Sequence, residues 1–293
     1  MLAPLPAASK RWTAWFGSLI SLLVLVVALY QLPGMKIAEI VSLVPASGLF
    51  WVVFLVAYCV TPASEWIIYR RLWAIPPGGF IALLRKRVTN EILLGYLGEV
   101  YFYAWVRRTG LITKTAPFGA IKDVAILSAF VGNAVTLAML AAAAPFFRLF
   151  RFGLGGKAML WSLAILAVTS LALLVVRKRL FTLPRVELRR IAAIHLARIV
   201  ATTALTALMW HLVLPQVALV WWMLLATLRQ LLSRLPLLPN KELAFVGIAI
   251  FAIGRDGDVA AMIAMIASLI LLTHLLVGAA LGAAGLLHQE KTA

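Results

Sequence analysis

An all-α, polytopic integral membrane bundle of about seven or eight transmembrane helices is the fold class this sequence predicts, and three observations carry it. Hydrophobic residues make up 64% of the 293 and charged residues 13%, about half the charged content of an ordinary soluble domain, and mean hydropathy is +1.02. Charge-free stretches of about 20 residues recur along the chain, the length that crosses the hydrocarbon layer as a helix. Lysine and arginine, which bring the formal net charge to +17, gather in the short breaks between those stretches. That is the positive-inside distribution and calls for no nucleic-acid partner. The single cysteine, Cys59, lies in an apolar run, so no disulfide forms within the chain.

Every crossing segment is expected to be helical, because an open strand in lipid leaves its amides unpaired. Residues 12–31 give the first span, stopped by Pro33 and Gly34 and long enough to be retained rather than cleaved as a leader. Residues 46–69 give the second, interrupted by Pro62 and carrying Glu65 near its exit; residues 124–147 and 158–176 follow. Residues 199–228 carry no charge, and Pro215 and Gln216 divide them into two spans that turn back on each other. Residues 259–287 form the last. Two further segments are apolar but do not fit a simple crossing. Residues 88–106 contain Asn90, Glu91 and Glu99, and residues 243–253 are too short and follow "SRLPLLPNKE" at 233–242. Both read as broken or re-entrant elements, at about 88–106 and 233–253, within one membrane domain spanning 1–293.

Orientation follows from the cations in short loops. Arg70, Arg71, Arg85, Lys86 and Arg87 precede the first odd segment, Arg107, Arg108 and Lys114 follow it, and Arg177, Lys178, Arg179, Arg185, Arg189 and Arg190 form the densest cluster. With that cluster and the N-terminus cytoplasmic, the second span returns inside at Arg70 and the third leaves from inside near Lys122. The segment between them therefore starts and ends on one face, dipping in or lying as a short hairpin. This arrangement places the loop with Arg148, Arg151 and Lys157 outside.

A carboxylate inside the bilayer costs a few kcal/mol on the gentlest scale and persists where it is paired, hydrated or neutralised. On a continuous helix Glu91, Gly95 and Glu99 share a face beside Asn90 and Gly98, and Arg107 and Arg108 favour the helix C-terminus. In the second odd segment Arg229, Ser233, Arg234, Asn240, Lys241 and Glu242 surround Pro236 and Pro239, which break a helix and free carbonyls. Paired broken helices point to a binding site. The substrate-binding candidates are thus Asn90, Glu91, Glu99, Asp123, Arg229, Ser233, Arg234, Asn240, Lys241 and Glu242. The bland alternative is that the acids pair with nearby Arg or Lys and fix helix packing.

Asn90, "LGYLGE" ending in Glu99, the basic residues after it, "KDVAILSAF" with Asp123, and "SRLPLLPNKE" ending in Glu242 together resemble the lysylphosphatidylglycerol synthase transmembrane family, the flippase-like domain found alone or as the membrane half of multiple peptide resistance factor. The resemblance covers most of the chain. It rests on Asn90, Gly98, Glu99, Asp123, Ser233, Pro236, Pro239 and Glu242; the proline of the family's first turn is missing, and "LPNKE" replaces a glycine-rich turn. It implies a bacterial inner-membrane protein, two re-entrant elements meeting near the midplane, and movement of a phospholipid or other polar-headed lipid between leaflets. Under that reading Arg234 and Lys241 take a phosphate, while Glu99, Asp123 and Glu242 hold those cations or receive an amine-bearing headgroup. The family's aminoacyl-transfer domain is absent from this sequence.

Other chemistry is thin. Asp256 and Asp258 in "RDGD" have the spacing of a glycosyltransferase acid pair but read as a polar turn. His195 and His211 are too far apart for a helical metal pair, so no metal or cofactor is expected and no catalytic residue is assigned. His195 and His211 each read as a capping or interfacial histidine, with a contact of His195 and Arg198 to lipid phosphate at the cytoplasmic surface as the alternative. His274 reads as an interhelical hydrogen bond, and the tryptophans as an aromatic belt. "GAALGAAG" at 278–285 and the alanines at 141–144 read as close packing. The partners implied are a membrane lipid and either a second copy of the chain or a partner enzyme. Two alternatives to lipid transport stand: an integral membrane enzyme on a lipid-linked substrate, and an accessory subunit of a lipid-modifying enzyme.

Overall fold

Helix α1 (Gly48–Trp73) runs unbroken through Pro62. The computed structural model describes residues 45–93, 96–109, 117–143, 181–233, 245 and 257–290. These form seven helices: α1, α2 (Gly78–Ile92), α3 (Leu97–Thr109), α4 (Pro117–Ala143), α5 (Arg185–Val213), α6 (Leu219–Ser233) and α7 (Gly257–Glu290). Four stretches, Gly48–Trp73, Pro117–Ala143, Arg185–Val213 and Met262–Ala284, are long and apolar enough to cross a membrane. The chain is therefore a multi-span helical membrane protein. The expected spans at 12–31 and 158–176, the loop with Arg148, Arg151 and Lys157, and all but Phe245 of the element at 243–253 lie outside the described residues.

Two apolar clusters give the helix directions. One gathers Ile68 and Tyr69 of α1, Leu83 and Val88 of α2, Tyr101 and Phe102 of α3, Ile121 and Val124 of α4, Ile191 of α5 and Leu275 of α7. The other gathers Phe50 and Phe54 of α1, Met209 and Trp210 of α5, Trp222 and Leu225 of α6, and Met262 and Ile266 of α7. So α1 and α7 run towards the first cluster and α5 runs away from it, as does α4, whose Met139 packs on the second. Arg70, Arg71, Arg107, Arg108, Lys122, Arg185, Arg189 and Arg190 all fall at the first end, while among the described residues the cation next to the second cluster is Arg229, beside Leu228.

Between α1 and α4 the chain makes a helical hairpin whose two ends lie on that basic face. Helix α1 stops where Ala74 turns left-handed (φ 51) and donates its N–H to the Arg70 carbonyl. Pro76 and Pro77 then redirect the chain, with the Gly79 and Phe80 amides closing onto their carbonyls. Helix α2 ends where Leu93 leaves helical geometry (φ −97, ψ −92), and Tyr96 turns the chain with φ 74. The hairpin corrects the sequence reading in two ways. It begins at Gly78, ahead of residue 88, so Arg85, Lys86 and Arg87 lie inside its first arm rather than in a loop. Glu91 and Glu99 sit on different helices, so the face they would share on one continuous helix does not exist.

The break at Pro215 and Gln216 is where the sequence places it, between α5 and α6. Helix α5, however, starts at Arg185, so Arg185, Arg189 and Arg190 of the basic cluster lie in its first turns; long cationic side chains allow this by reaching to the interface.

Candidate functional site

Lys86 is 4% exposed and holds the centre of the hairpin end of the bundle. Its ammonium donates to Glu65 Oε1 of α1 at 2.7 Å and pairs with Glu99 Oε1 of α3 at 3.3 Å. Asn90, one turn further along α2, orients the second carboxylate: its Nδ2 donates to Glu99 Oε2 at 3.0 Å while its Oδ1 accepts the Gly98 N–H at 2.7 Å. Gly98 is required by this approach, since a Cβ there would sit 2.7 Å from Asn90 Oδ1 and collide with the Lys86 carbonyl. The question raised by the polar residues in "TNEILLGYLGE" thus has a geometric answer. Asn90, Gly98 and Glu99 lock the two arms together around a buried cation.

The electrostatics agree with the geometry. Both groups lie outside the four long spans. Burial works against the charge on Lys86, but Glu65 and then Glu99 outweigh it and hold the ammonium above the ordinary lysine range. Burial likewise pushes the Glu99 carboxyl up, and Lys86 together with the Asn90 hydrogen bond brings it below the usual carboxylate value. The three charged groups are 5%, 12% and 19% exposed at Lys86, Glu65 and Glu99, so water screens them weakly.

The neighbours of Lys86 in α2 are partnered in other directions. Arg85 donates to the Leu281 carbonyl of α7 and lies over the Tyr101 ring. Arg87 donates to the Tyr58 carbonyl, and its guanidinium lies 4.6 Å from the centre of the Tyr58 ring. Pro62 explains that acceptor. It sits within α1 and has no N–H to give the carbonyl four residues back, which is that of Tyr58. The Tyr58 hydroxyl in turn meets His274 Nδ1 at 3.0 Å, the interhelical bond expected of that histidine.

The remaining predicted residues fall as follows. Asp123 is fully buried, and its Oδ2 accepts from Thr182 N (2.7 Å), Thr182 Oγ1 (2.9 Å) and Leu183 N (2.8 Å), with Lys122 Nζ 3.5 Å from Oδ1. It fastens α4 to the segment leading into α5. Glu91 is half-buried near the end of α2, and Arg229 is half-buried in α6. Ser233 ends α6, and Arg234, Asn240, Lys241 and Glu242 lie outside the described residues.

His195 and Arg198 are not at a surface. His195 is 0% exposed, and neither ring nitrogen makes a hydrogen bond of normal geometry, although the Val124 carbonyl lies close. Arg198 is half-buried and donates to Ser128 Oγ at 3.0 Å. Trp222 is buried as well, so it belongs to the core rather than to an aromatic belt.

The site residues missed in sequence were Lys86 and Glu65, with the buried hydroxyls of Tyr69 and Thr89, which lack hydrogen bonds among the described residues. The available signal was the i,i+4 spacing of Lys86 and Asn90, which puts both on one face of a helix. No protein-family model, curated protein or solved structure matches this chain.

Proposed function

We propose that this protein binds a polar-headed membrane lipid inside its helical bundle and moves the headgroup between leaflets, as the lysylphosphatidylglycerol synthase transmembrane family that its motifs resemble is understood to do. One observation carries the reading: two carboxylates, Glu65 and Glu99, converge on the buried ammonium of Lys86 at a hairpin that begins and ends on one face. Moving an ionic headgroup through hydrocarbon unaided is prohibitive, and charge-assisted hydrogen bonds replace the hydration it loses. A network with one cation between two anions has the right chemistry for exchange, because an incoming amine takes a place beside a carboxylate that Lys86 gives up. The α2–α3 hairpin is the first re-entrant element in this proposal, with residues 233–253 the second. The basic end faces the cytoplasm by the positive-inside rule, in a bacterial inner membrane.

The test is leaflet exchange of headgroup-labelled lipid in vesicles holding the purified protein, read by quenching of outer-leaflet label. Exchange well above protein-free vesicles is expected, with loss in Glu99→Gln and in Lys86→Met that remain folded by circular dichroism. Exchange at the protein-free rate, or unchanged by both substitutions, overturns the proposal.

A second reading is favoured by the mutual pairing of Lys86, Glu65 and Glu99, in which each charge has an opposite partner within 3.3 Å. In an accessory subunit of a lipid-modifying enzyme that pairing serves packing alone. Such a protein shows no exchange by itself and co-purifies with the enzyme.

A further inference from the structure

Where α1 ends and α5 begins, two arginines converge on one carboxylate. Glu187, in the first turn of α5, accepts from Arg71 Nε at 3.2 Å through Oε2 and from Arg190 Nη1 at 2.8 Å through Oε1. The two helices pack against each other, so the shared acceptor holds the guanidiniums side by side. Their side chains are 51% and 49% exposed, and ion pairs this open to solvent add little to stability. Each guanidinium carries several N–H donors and gives one to Glu187, which leaves the others for an anion outside the helices. Arg70 and Arg189, their neighbours in the chain, are exposed as well. Arg70 lies 4.8 Å from the centre of the Trp66 ring, and an interfacial tryptophan belongs at headgroup level. Deeper along both helices the open surface turns aliphatic. Ile67, one turn before Arg71 on α1, is exposed, and so are Leu196 and Val200, which follow Arg189 along one face of α5.

We infer that Arg71 and Arg190, gathered by Glu187, anchor the phosphate of an anionic phospholipid of the leaflet at the basic end. Two guanidiniums that meet on one carboxylate also reach one phosphate, whose oxygens accept planar forks in pairs. Glu187 offsets one of the four positive charges of Arg70, Arg71, Arg189 and Arg190, so the patch stays positive and favours a headgroup of net negative charge over a zwitterionic one. The aliphatic side chains below the arginines receive acyl tails, which a free anion lacks. This lipid is a fixed neighbour that ties the end of α1 to the start of α5. It is separate from the headgroup handled at Lys86, and its binding does not depend on transport.

The experiment is thermal unfolding of the full chain in a non-ionic detergent, titrated with short-chain phosphatidic acid, with phosphatidylcholine of the same tails, and with inorganic phosphate. Phosphatidic acid is expected to raise the unfolding temperature saturably, at concentrations where phosphatidylcholine and inorganic phosphate leave it unchanged. The double variant Arg71→Gln, Arg190→Gln is expected to need at least tenfold more phosphatidic acid for the same rise, and each single variant severalfold more. Arg108→Gln removes one charge from the same basic end, at the exposed end of α3, and is expected to respond as wild type does. The double variant Arg71→Lys, Arg190→Lys keeps the charge and loses the forks; it serves where the glutamine variants fail to fold, and is expected to need severalfold more lipid. Weakening by Arg108→Gln equal to that by Arg71→Gln assigns the response to diffuse charge and overturns the inference. So does a wild-type response to phosphatidylcholine or inorganic phosphate equal to that of phosphatidic acid, or no response to phosphatidic acid at all. Leaflet exchange does not enter this readout, so its failure leaves the anchoring site standing.

Discussion

Replacing Lys86 by methionine separates a charge network from an apolar packing position, because the two predict opposite orders of damage. Lys86 is almost wholly enclosed, and its removal strands two largely buried carboxylates facing a hydrocarbon side chain. Breaking a buried pair from one side costs about 3–5 kcal/mol. Glu99→Gln is milder. It keeps the 2.7 Å contact of Lys86 with Glu65 and still offers Asn90 a carbonyl acceptor, losing the 3.3 Å ion pair, a charged contact worth about 2 kcal/mol. The triple variant Lys86→Met, Glu65→Gln, Glu99→Gln removes every charge together, and buried ionic groups replaced as a set are often close to neutral. The expected order of stability is wild type, triple variant or Glu99→Gln, then Lys86→Met, with about 2 kcal/mol between the last two. Equilibrium unfolding in mixed micelles, followed by circular dichroism, measures it. A triple variant less stable than Lys86→Met would refute the reasoning, because stranded charge would then not be the source of the cost.

Three further outcomes follow from the same structure. Glu99 is lowered in the folded state, so its contribution is present above its ordinary 4.5 and is lost as pH falls through the folded value; Lys86 is raised, so its contribution is present below its ordinary 10.5 and is lost as pH climbs through the folded value. The stability difference between wild type and Glu99→Gln should therefore hold steady above about pH 5 and narrow as pH falls further, and that between wild type and Lys86→Met should hold steady below about pH 10 and narrow above it; a difference that changes through neutrality contradicts this. Pro62→Ala restores an N–H that competes for the Tyr58 carbonyl, so a double-mutant cycle with Arg87→Met should give a coupling of about 1 kcal/mol, and additivity would disconnect the two residues. Asp123→Asn weakens three hydrogen bonds to Thr182 and Leu183, and hydrogen exchange should quicken at those two amides by at least tenfold while the amides of α1 stay protected.

The spans of α1, α4, α5 and α7 and the turn at Pro215 were legible because lipid imposes a length and a composition that read directly along the chain. The hairpin's existence was legible too, since Arg70 and Lys122 had to share a face. Its first arm was not. "LLRKRV" looks like an interfacial loop because three adjacent cations are normally solvated, and nothing local says that Glu65, Tyr58 and Leu281 stand ready to receive them. For the same reason Asp123 read as a ligand group, whereas the amides that claim it belong to a segment far along the chain. Charge partners separated by a whole span leave no periodicity for a sequence to display.

Those three cations also explain why a hairpin, and not a crossing helix, carries the polar centre. Arg or Lys in mid-membrane costs about 2.5–3.5 kcal/mol apiece even by insertion scales, so Arg85, Lys86 and Arg87 together would forbid a lone span. Successive residues on a helix point about 100° apart, so three in a row cannot share one partner or one face. They need acceptors on three sides. An arm enclosed by neighbouring helices has them: α7 receives Arg85 through the Leu281 carbonyl, α1 and α3 hold Lys86 between Glu65 and Glu99, and the carbonyl that Pro62 leaves open in α1 receives Arg87. Each acceptor lies on an element other than α2, so shifting the arm by even one residue would misdirect all three cations at once. Motion of this region must then proceed by exchange of partners rather than by sliding.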